Sequence, residues 1–287
     1  MWVADKWQDF KVLDAGEGEK LEQWGKYILR RPDPQAIWNK KSNLWDKADA
    51  FYHRNKSGGG FWENINKIPD FWEISYDNLK FNIKPTSFKH TGLFPEQAVN
   101  WEWIIERITR EPQSLKILNL FAYTGGATVA ALSAGAEVVH IDASRGMIEL
   151  AKANVESSNL LDKKVRFIQD DVIKFVQREI RRGNKYHGII MDPPAFGRGK
   201  EGEIWEIEKS LNELITLCKE LLSDDASFML INSYANDISR YAMENILKDQ
   251  ILENFSGKVY SNEIGLSIET RPGLFLPCGV SIRWERD

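Results

Sequence analysis

Residues 115–142 read LKILNLFAYTGGATVAALSAGAEVVHID, and this stretch decides the fold. An apolar run, 115–121, is short enough to be a buried strand, and Gly125-Gly126 marks a turn that opens a helix reaching about Ala134. A second apolar strand, 137–142, follows directly. A strand, a helix and another strand in this order predict two parallel neighbours joined by a right-handed crossover.

The same alternation continues to the end of the chain. Further strands are predicted at 165–168, 187–191 and 227–231, two closing strands at 258–264 and 279–284, and helices at 95–110, 145–157, 172–182, 204–222 and 238–254. We therefore predict an α/β fold with a doubly wound, seven-stranded, mostly parallel sheet of Rossmann-like type. Ligands of such sheets bind at the carboxyl ends of the strands, here near residues 121, 142, 170 and 192.

The first 90 residues differ from the rest of the chain in composition and in the pattern of apolar side chains. Seven of the 11 tryptophans lie before residue 80. Residues 71–76 and 79–83 alternate apolar and polar side chains around Asp77-Asn78, which predicts a β-hairpin. We divide the chain into a small β-rich N-terminal region, 1–90, and a second domain, 91–287.

Composition narrows the class of protein. With 287 residues, 43% hydrophobic and 28% charged, the chain is typical of globular proteins. The net charge of −4 argues against a non-specific coat on nucleic acid, and two cysteines are too few for a disulfide framework. The chain shows no secretory signal and no apolar run near the roughly 20 residues of a membrane span, so we expect a cytoplasmic protein without membrane contact.

Two carboxylates stand at strand ends. Asp142 follows the glycine turn at a distance that suits the hydroxyls of a ribose. A carboxylate of the pair Asp170-Asp171 could accept from an adenine amino group, with Val172 and Ile173 as apolar contacts. At both strand ends the alternative is a helix N-terminal cap, and a glycine pair at a tight turn is itself commonly structural.

The sharpest signal is Asp192-Pro-Pro-Ala-Phe196 after the fourth strand. Two successive prolines cannot continue a strand or donate hydrogen bonds, and they form a stiff segment, here called the ledge, that presents backbone carbonyls. A carboxylate before the ledge and an aromatic ring after it suit a planar polar acceptor. The following Gly197–Gly202 loop is predicted to be a mobile, partly basic lid, with Arg198 and Lys200 as candidate substrate contacts or as solvated side chains.

In order, FAYTGG, HID, DDV and DPPAF resemble the motifs of class I S-adenosylmethionine-dependent methyltransferases, and are most similar to the group that contains the 23S ribosomal RNA large-subunit methyltransferases. The resemblance covers about residues 90–287, and the segment 89–97 looks like one that lies beside the cofactor in this group. The resemblance implies a sheet whose last strand is antiparallel. It also implies S-adenosyl-L-methionine as the cofactor and RNA as the partner, with ribosomal RNA as the first candidate. The cofactor contacts that it implies are Phe121, Ala122, Tyr123, Thr124, Gly125, Gly126, Asp142, Ala143, Asp171, Val172 and Gln97, and the acceptor residues are Asp192, Pro193, Pro194 and Phe196.

The departures from the family also carry information. Cytosine-5 methylation needs a cysteine nucleophile, but Ala195 and Asn232-Ser233-Tyr234 occupy the places where such relatives carry one. We therefore predict nucleobase methylation without a cysteine nucleophile. The aromatic Phe196 stands one residue later than in exocyclic amino methyltransferases, and the RNA-binding module of many relatives is not recognisable in residues 1–90.

Other functions stay open. A small-molecule or protein methyltransferase, or a non-catalytic cofactor- or RNA-binding module, fits the same fold, whereas the glycine pattern disfavours a nicotinamide oxidoreductase. The four histidines have no ligand-like spacing, so no metal is expected. Residues 40–56 interleave basic and aromatic side chains, as single-stranded nucleic-acid surfaces do, but a solvated edge over a small β core explains them slightly better.

Overall fold

The fold is that of a computed structural model, which describes residues 1–55, 59–86, 89–198, 204–235 and 237–287. The chain forms two compact units. The first comprises Met1–Val99 together with Ile264–Cys278, and the second comprises Asn100–Glu263 together with Gly279–Asp287.

The first unit is built from β-strands, as its sequence texture predicts. Its strands are β1 (Trp2–Val3), β2 (Phe10–Gly16), β3 (Glu19–Trp24), β4 (Tyr27–Pro32), β5 (Ala50–Arg54), β6 (Gly60–Asn64), β7 (Trp72–Tyr76) and β8 (Leu79–Ile83). Short 3-10 helices span Leu44–Lys47 and Pro95–Gln97. A five-stranded sheet follows the order β2-β3-β4-β5-β6, and the predicted hairpin is confirmed as β7 and β8 around Asp77, whose φ is 50°.

Indole N–H groups explain why this unit is rich in tryptophan. Trp7, Trp24, Trp38, Trp45, Trp62 and Trp72 each donate a hydrogen bond, in most cases to a backbone carbonyl. The acceptors belong to Pro95, Glu22, Ala15, Asp14, Thr86 and Trp24. A small β unit has little apolar area to bury, and each tryptophan adds a large ring while its polar atom stays satisfied.

Buried charges in the first unit are paired or hydrogen-bonded. Glu22 is fully buried and accepts from both Arg31 Nε at 2.6 Å and Arg31 Nη2 at 2.9 Å, while Lys20 lies 3.4 Å from its other side. Buried Asp14 accepts from the amides of Lys41 and Ser42 and so anchors the loop after β4. Paired charges of this kind are costly to break, because the remaining partner is left buried and uncompensated.

The second unit contains the helices α1 to α6 and the central strands of the large sheet. In chain order these are α1 (Ala98–Arg110), β9 (Lys116–Leu120), α2 (Gly126–Ser133), β10 (Glu137–Asp142), α3 (Arg145–Ser157), β11 (Val165–Gln169), α4 (Val172–Arg181), β12 (Gly188–Met191), β13 (Phe196–Arg198), β14 (Ile204–Glu206), α5 (Ile207–Lys219), β15 (Phe228–Ser233), α6 (Arg240–Ile251), β16 (Lys258–Ser267) and β17 (Phe275–Glu285). The end residues of α1, β16 and β17 belong to the first unit.

The large sheet is mostly parallel with an antiparallel last strand, as predicted, but it has eight strands rather than seven. Its order is β1-β16-β17-β15-β12-β9-β10-β11, with parallel pairing from β15 to β11, β17 antiparallel to β15, and the short edge strand β1 parallel to β16. The chain order reverses direction between β9 and β12, so the carboxyl ends of these strands flank a topological switch point. One core cluster, which includes Leu118, Ile141 and Ile189, holds the helices against the sheet.

One predicted element is wrong. The helix expected from Ile204 begins only at Ile207, and Ile204–Glu206 is strand β14, paired antiparallel with β13. The Ile207 amide donates to the Ala195 carbonyl at 3.1 Å, so this short hairpin closes on the segment after β12. Hydrophobic spacing alone could not separate a three-residue strand from the first turn of the helix that follows it.

Within the described part of the chain, no helix is both long and apolar enough to cross a membrane.

Candidate functional site

The turn after β9 has an unusual backbone. Phe121, Tyr123 and Gly125 have positive φ values of 52°, 50° and 81°, and two of these three carry side chains. The Ala122 amide donates to the Ile141 carbonyl at 3.0 Å, which ties the turn to β10. Backbone held in this sparsely populated region costs free energy and is common where a chain wraps a ligand.

Close packing explains both glycines of the turn. A Cβ at Gly125 would lie 3.0 Å from the Ala151 Cβ, and one at Gly126 would lie 2.8 Å from Trp101 Cζ2. Gly126 also begins α2, whose N-terminal amides favour an anionic or polar ligand. Packing within the protein therefore requires glycine at both positions of the turn.

Asp142 lies at the end of β10 beside this turn. Its Oδ2 accepts from the Tyr123 amide at 2.9 Å, and its Oδ1 accepts from the Ser144 amide at 2.8 Å. Burial raises the pKa of this carboxyl, and the two amide hydrogen bonds oppose the rise. A carboxylate oxygen can accept more than one hydrogen bond, so Asp142 fits ribose hydroxyls while it also braces the turn and the start of α3.

Buried polar side chains next to the turn, here called the polar layer, support its backbone. Asn154 donates to the Thr124 carbonyl at 2.8 Å, and Thr128 Oγ1 bridges Asn119 Nδ2 and His140 Nδ1 at 2.9 Å each. Burial lowers the pKa of His140 to about 3, so the imidazole is neutral. The sequence did not point to these residues as part of the site, although a polar side chain on an apolar strand or helix face is the signal that could have found them.

Asp171 caps a helix. Its Oδ1 accepts from the Lys174 amide at 2.9 Å at the start of α4, as the capping alternative predicts, and Val172 is buried in the core. Asp170 pairs with Arg178. Oδ1 serves the cap, and an adenine contact by Asp171 stays a prediction. Ile173, the residue after Val172, has a half-exposed apolar side chain.

The Asp192–Phe196 segment is a folded ledge. The Asp192 amide donates to the Leu120 carbonyl at 3.4 Å, so the ledge starts beside β9, and Asp192 is half-buried. Pro193 is buried and Pro194 is exposed. The Pro194 carbonyl accepts a hydrogen bond from Trp205 Nε1 at 2.6 Å. Trp205 lies on β14, and the sequence did not identify it as part of the site.

The candidate substrate residues after the ledge lie at different positions along the chain. Phe196 is the first residue of β13 and 55% exposed, and Arg198 is the last residue of β13. Lys200 lies outside the described residues. The roles of Phe196, Arg198 and Lys200 toward a substrate stay predictions.

Neither cysteine lies at a strand end of the site. Cys218 is buried in α5, where burial raises the pKa of its thiol, and Cys278 is half-buried in β17. At the end of β15, Asn232 is buried and accepts from Asn100 at 2.9 Å and from Ser281 at 2.6 Å. The place where relatives with a nucleophile carry cysteine is here part of a buried hydrogen-bond network.

Gln97 belongs to the first unit, at the end of its second 3-10 helix, and is buried. Its contact with a cofactor stays a prediction.

In the ranges that the structure describes, no group of three or more histidine, cysteine, aspartate or glutamate side chains could hold a metal ion.

The turn, Asp142 and the ledge lie at the carboxyl ends of three adjacent parallel strands, which defines an α/β protein built to bind a nucleoside cofactor. A family model described as S-adenosylmethionine-dependent methyltransferase matches residues 50–239. The chain belongs to this family, and S-adenosylmethionine is its cofactor. The strained glycine turn and the braced carboxylate fit that cofactor.

Relatives agree with this assignment. A crystal structure of an S-adenosylmethionine-dependent methyltransferase from Agrobacterium tumefaciens is 36% identical, with a TM-score of 0.95 over 100% of this chain and 93% of that one. The ribosomal RNA large subunit methyltransferase K/L of Pseudomonas savastanoi is 30% identical over 79% of this chain and 30% of its own length. The ribosomal RNA large subunit methyltransferase K of Neisseria meningitidis is 27% identical over 69% of this chain and 57% of its own length. This chain thus spans between about a third and somewhat over half of these two relatives.

Proposed function

We propose that this methyltransferase acts on a nucleobase nitrogen in RNA, with ribosomal RNA as the first candidate, and without a cysteine nucleophile. The observation that carries the proposal is the Asp192–Pro194 ledge beside the cofactor turn, combined with Ala195 and Asn232 at the places where a nucleophilic cysteine would stand. The names of the relatives from Pseudomonas and Neisseria support RNA as the acceptor.

When bound, the cofactor would supply a methyl group activated on a sulfonium, with a neutral thioether as the leaving group. The chain's main task is then to position the acceptor. The Asp192 carboxylate and the Pro193 carbonyl would accept N–H hydrogen bonds from the base, and Asp192 would hold the proton that the nitrogen loses. Phe196 would stack on an extruded base.

The cofactor contacts proposed for the chain follow the site. The turn, Phe121 to Gly126, would hold the methionine end, Asp142 and Ala143 would bind the ribose, and Asp171 with Val172 would contact the adenine. Asp142 has the strongest support, because both of its oxygens are already oriented by backbone amides.

Transfer of a radiolabelled methyl group tests the acceptor class. The protein is incubated with labelled cofactor and, separately, with total RNA, total protein and a metabolite extract. We expect label in RNA from the wild type and none from Asp192→Ala, with cofactor affinity by calorimetry within threefold of the wild type. Label confined to protein or metabolites would reject RNA, and full activity of Asp192→Ala would reject the role of that carboxylate.

A further inference from the structure

Trp205 contacts both halves of the candidate site. Its indole N–H donates to the Pro194 carbonyl at 2.6 Å, and its ring packs against Phe121 with the centroids 5.2 Å apart. Pro194 belongs to the acceptor ledge, and Phe121 is the first residue of the cofactor turn. One side chain therefore joins the two segments between which a methyl group would pass.

The register of the β13–β14 hairpin determines which residues face the ledge. Phe196 pairs with Glu206, and Gly197 pairs with Trp205. Because side chains alternate along a strand and directly paired residues share a face, Trp205 and Phe196 lie on opposite faces of the hairpin. A Cβ at Gly197 would lie 3.7 Å from Pro194 Cγ, which shows that the Trp205 face is the one packed on the ledge.

We propose that Trp205 is a positioning residue for methyl transfer, which holds the Pro194 carbonyl and sets the spacing between ledge and cofactor turn. This inference rests on the proposed function.

Two substitutions separate the roles of the hydrogen bond and the ring. Trp205→Phe keeps an aromatic ring near Phe121 but loses the donor, and Trp205→Leu loses both. A displacement of about 1 Å at a reacting centre can reduce the rate about 100-fold. We expect kcat to fall about tenfold in Trp205→Phe and about 100-fold in Trp205→Leu, with the cofactor Kd and the KM for RNA within about threefold.

Ile204→Ala is the matched control. Ile204 is on the same strand, is 60% exposed and pairs with Arg198, so it lies on the face opposite Trp205. Its kcat should stay within twofold of the wild type. Phe196→Leu measures the competing possibility that the motif's own aromatic positions the acceptor.

Amide hydrogen exchange provides a readout that does not depend on turnover. We expect faster exchange in residues 121–126 and 192–197 of Trp205→Leu, and wild-type exchange there in Ile204→Ala. If the wild type transfers no methyl group to RNA, the proposed function fails, and the exchange data still decide whether Trp205 couples the two segments. The inference is overturned if Trp205→Phe and Trp205→Leu match Ile204→Ala in both kcat and exchange, or if only Phe196→Leu loses kcat.

Discussion

Among single residues, Asp142 has an observed structural role and a proposed role in cofactor binding. It accepts from two backbone amides that belong to different segments, the cofactor turn and the start of α3. The sequence presented ribose binding and helix capping as alternatives. In the structure the carboxylate orders the local backbone while its remaining lone pairs stay able to accept from a ligand.

Replacement of Asp142 by alanine should reduce cofactor affinity at least tenfold, because the ribose acceptor and the brace of the turn are both lost. Isothermal titration calorimetry measures this, with Asp162→Ala, an exposed residue after α3, as the control. Since burial raises the pKa of Asp142, wild-type affinity should begin to fall at a higher pH than an exposed aspartate would allow, as the carboxyl becomes protonated. An unchanged Kd in Asp142→Ala would remove this residue from the cofactor site.

Glu22 governs stability in the first unit. Burial would raise the pKa of this carboxyl, but the adjacent Arg31 and Lys20 lower it to about 2 from 4.5. Ionised Glu22 therefore stabilises the fold at neutral pH, and this contribution is lost as the pH falls from about 4.5 to 2.

We expect Glu22→Gln to destabilise the first unit by about 3–5 kcal/mol at pH 7, because Arg31 stays buried and loses the carboxylate that accepts from its Nε and Nη2 atoms. Urea unfolding followed by tryptophan fluorescence measures the change. Glu63→Gln removes the exposed partner of His53 in the same unit and should cost less than about 1 kcal/mol. Equal midpoints for the two variants would contradict the importance of the buried pair.

At the level of elements, the polar layer beneath the cofactor turn is the clearest addition to the sequence prediction. Except at the start of α5, strand ends and helix starts were predictable to within a few residues, because apolar runs and glycine turns mark them locally. The roles of Asn154 and Trp205 were not, since each depends on a partner far along the chain: Asn154 bonds Thr124, 30 residues away, and Trp205 bonds Pro194 across a hairpin.

Replacement of Asn154 by alanine should lower the melting temperature and weaken cofactor binding about three- to tenfold. The Thr124 carbonyl would lose its donor inside the protein, which costs about 1–3 kcal/mol. Thermal melts with and without cofactor report both effects, and Lys152→Ala on an exposed part of α3 is the control. A variant with normal stability and normal affinity would show that the turn keeps its conformation without this bond.

For the molecule as a whole, the antiparallel last strand of the large sheet was implied by the resemblance to methyltransferases, and the edge strand β1 was not predicted. The mostly parallel sheet was predictable, because alternating short strands and helices admit few right-handed arrangements. The composition of the first unit was not. Residues 264–278 return to it from near the end of the chain, and no local pattern marks that return. The tryptophan excess in the first 80 residues has a physical explanation in the indole hydrogen bonds, whereas its relation to any RNA stays untested.

The most direct test of the central claim is the identity of the methylated nucleoside in RNA. RNA treated with the protein and labelled cofactor is digested to nucleosides and analysed by mass spectrometry, with the wild type beside a Cys218→Ser, Cys278→Ser double variant. We predict an N-methylated nucleoside in both samples, in similar amounts. Recovery of 5-methylcytidine, loss of the product in the double variant, or the absence of any methylated nucleoside would contradict the account.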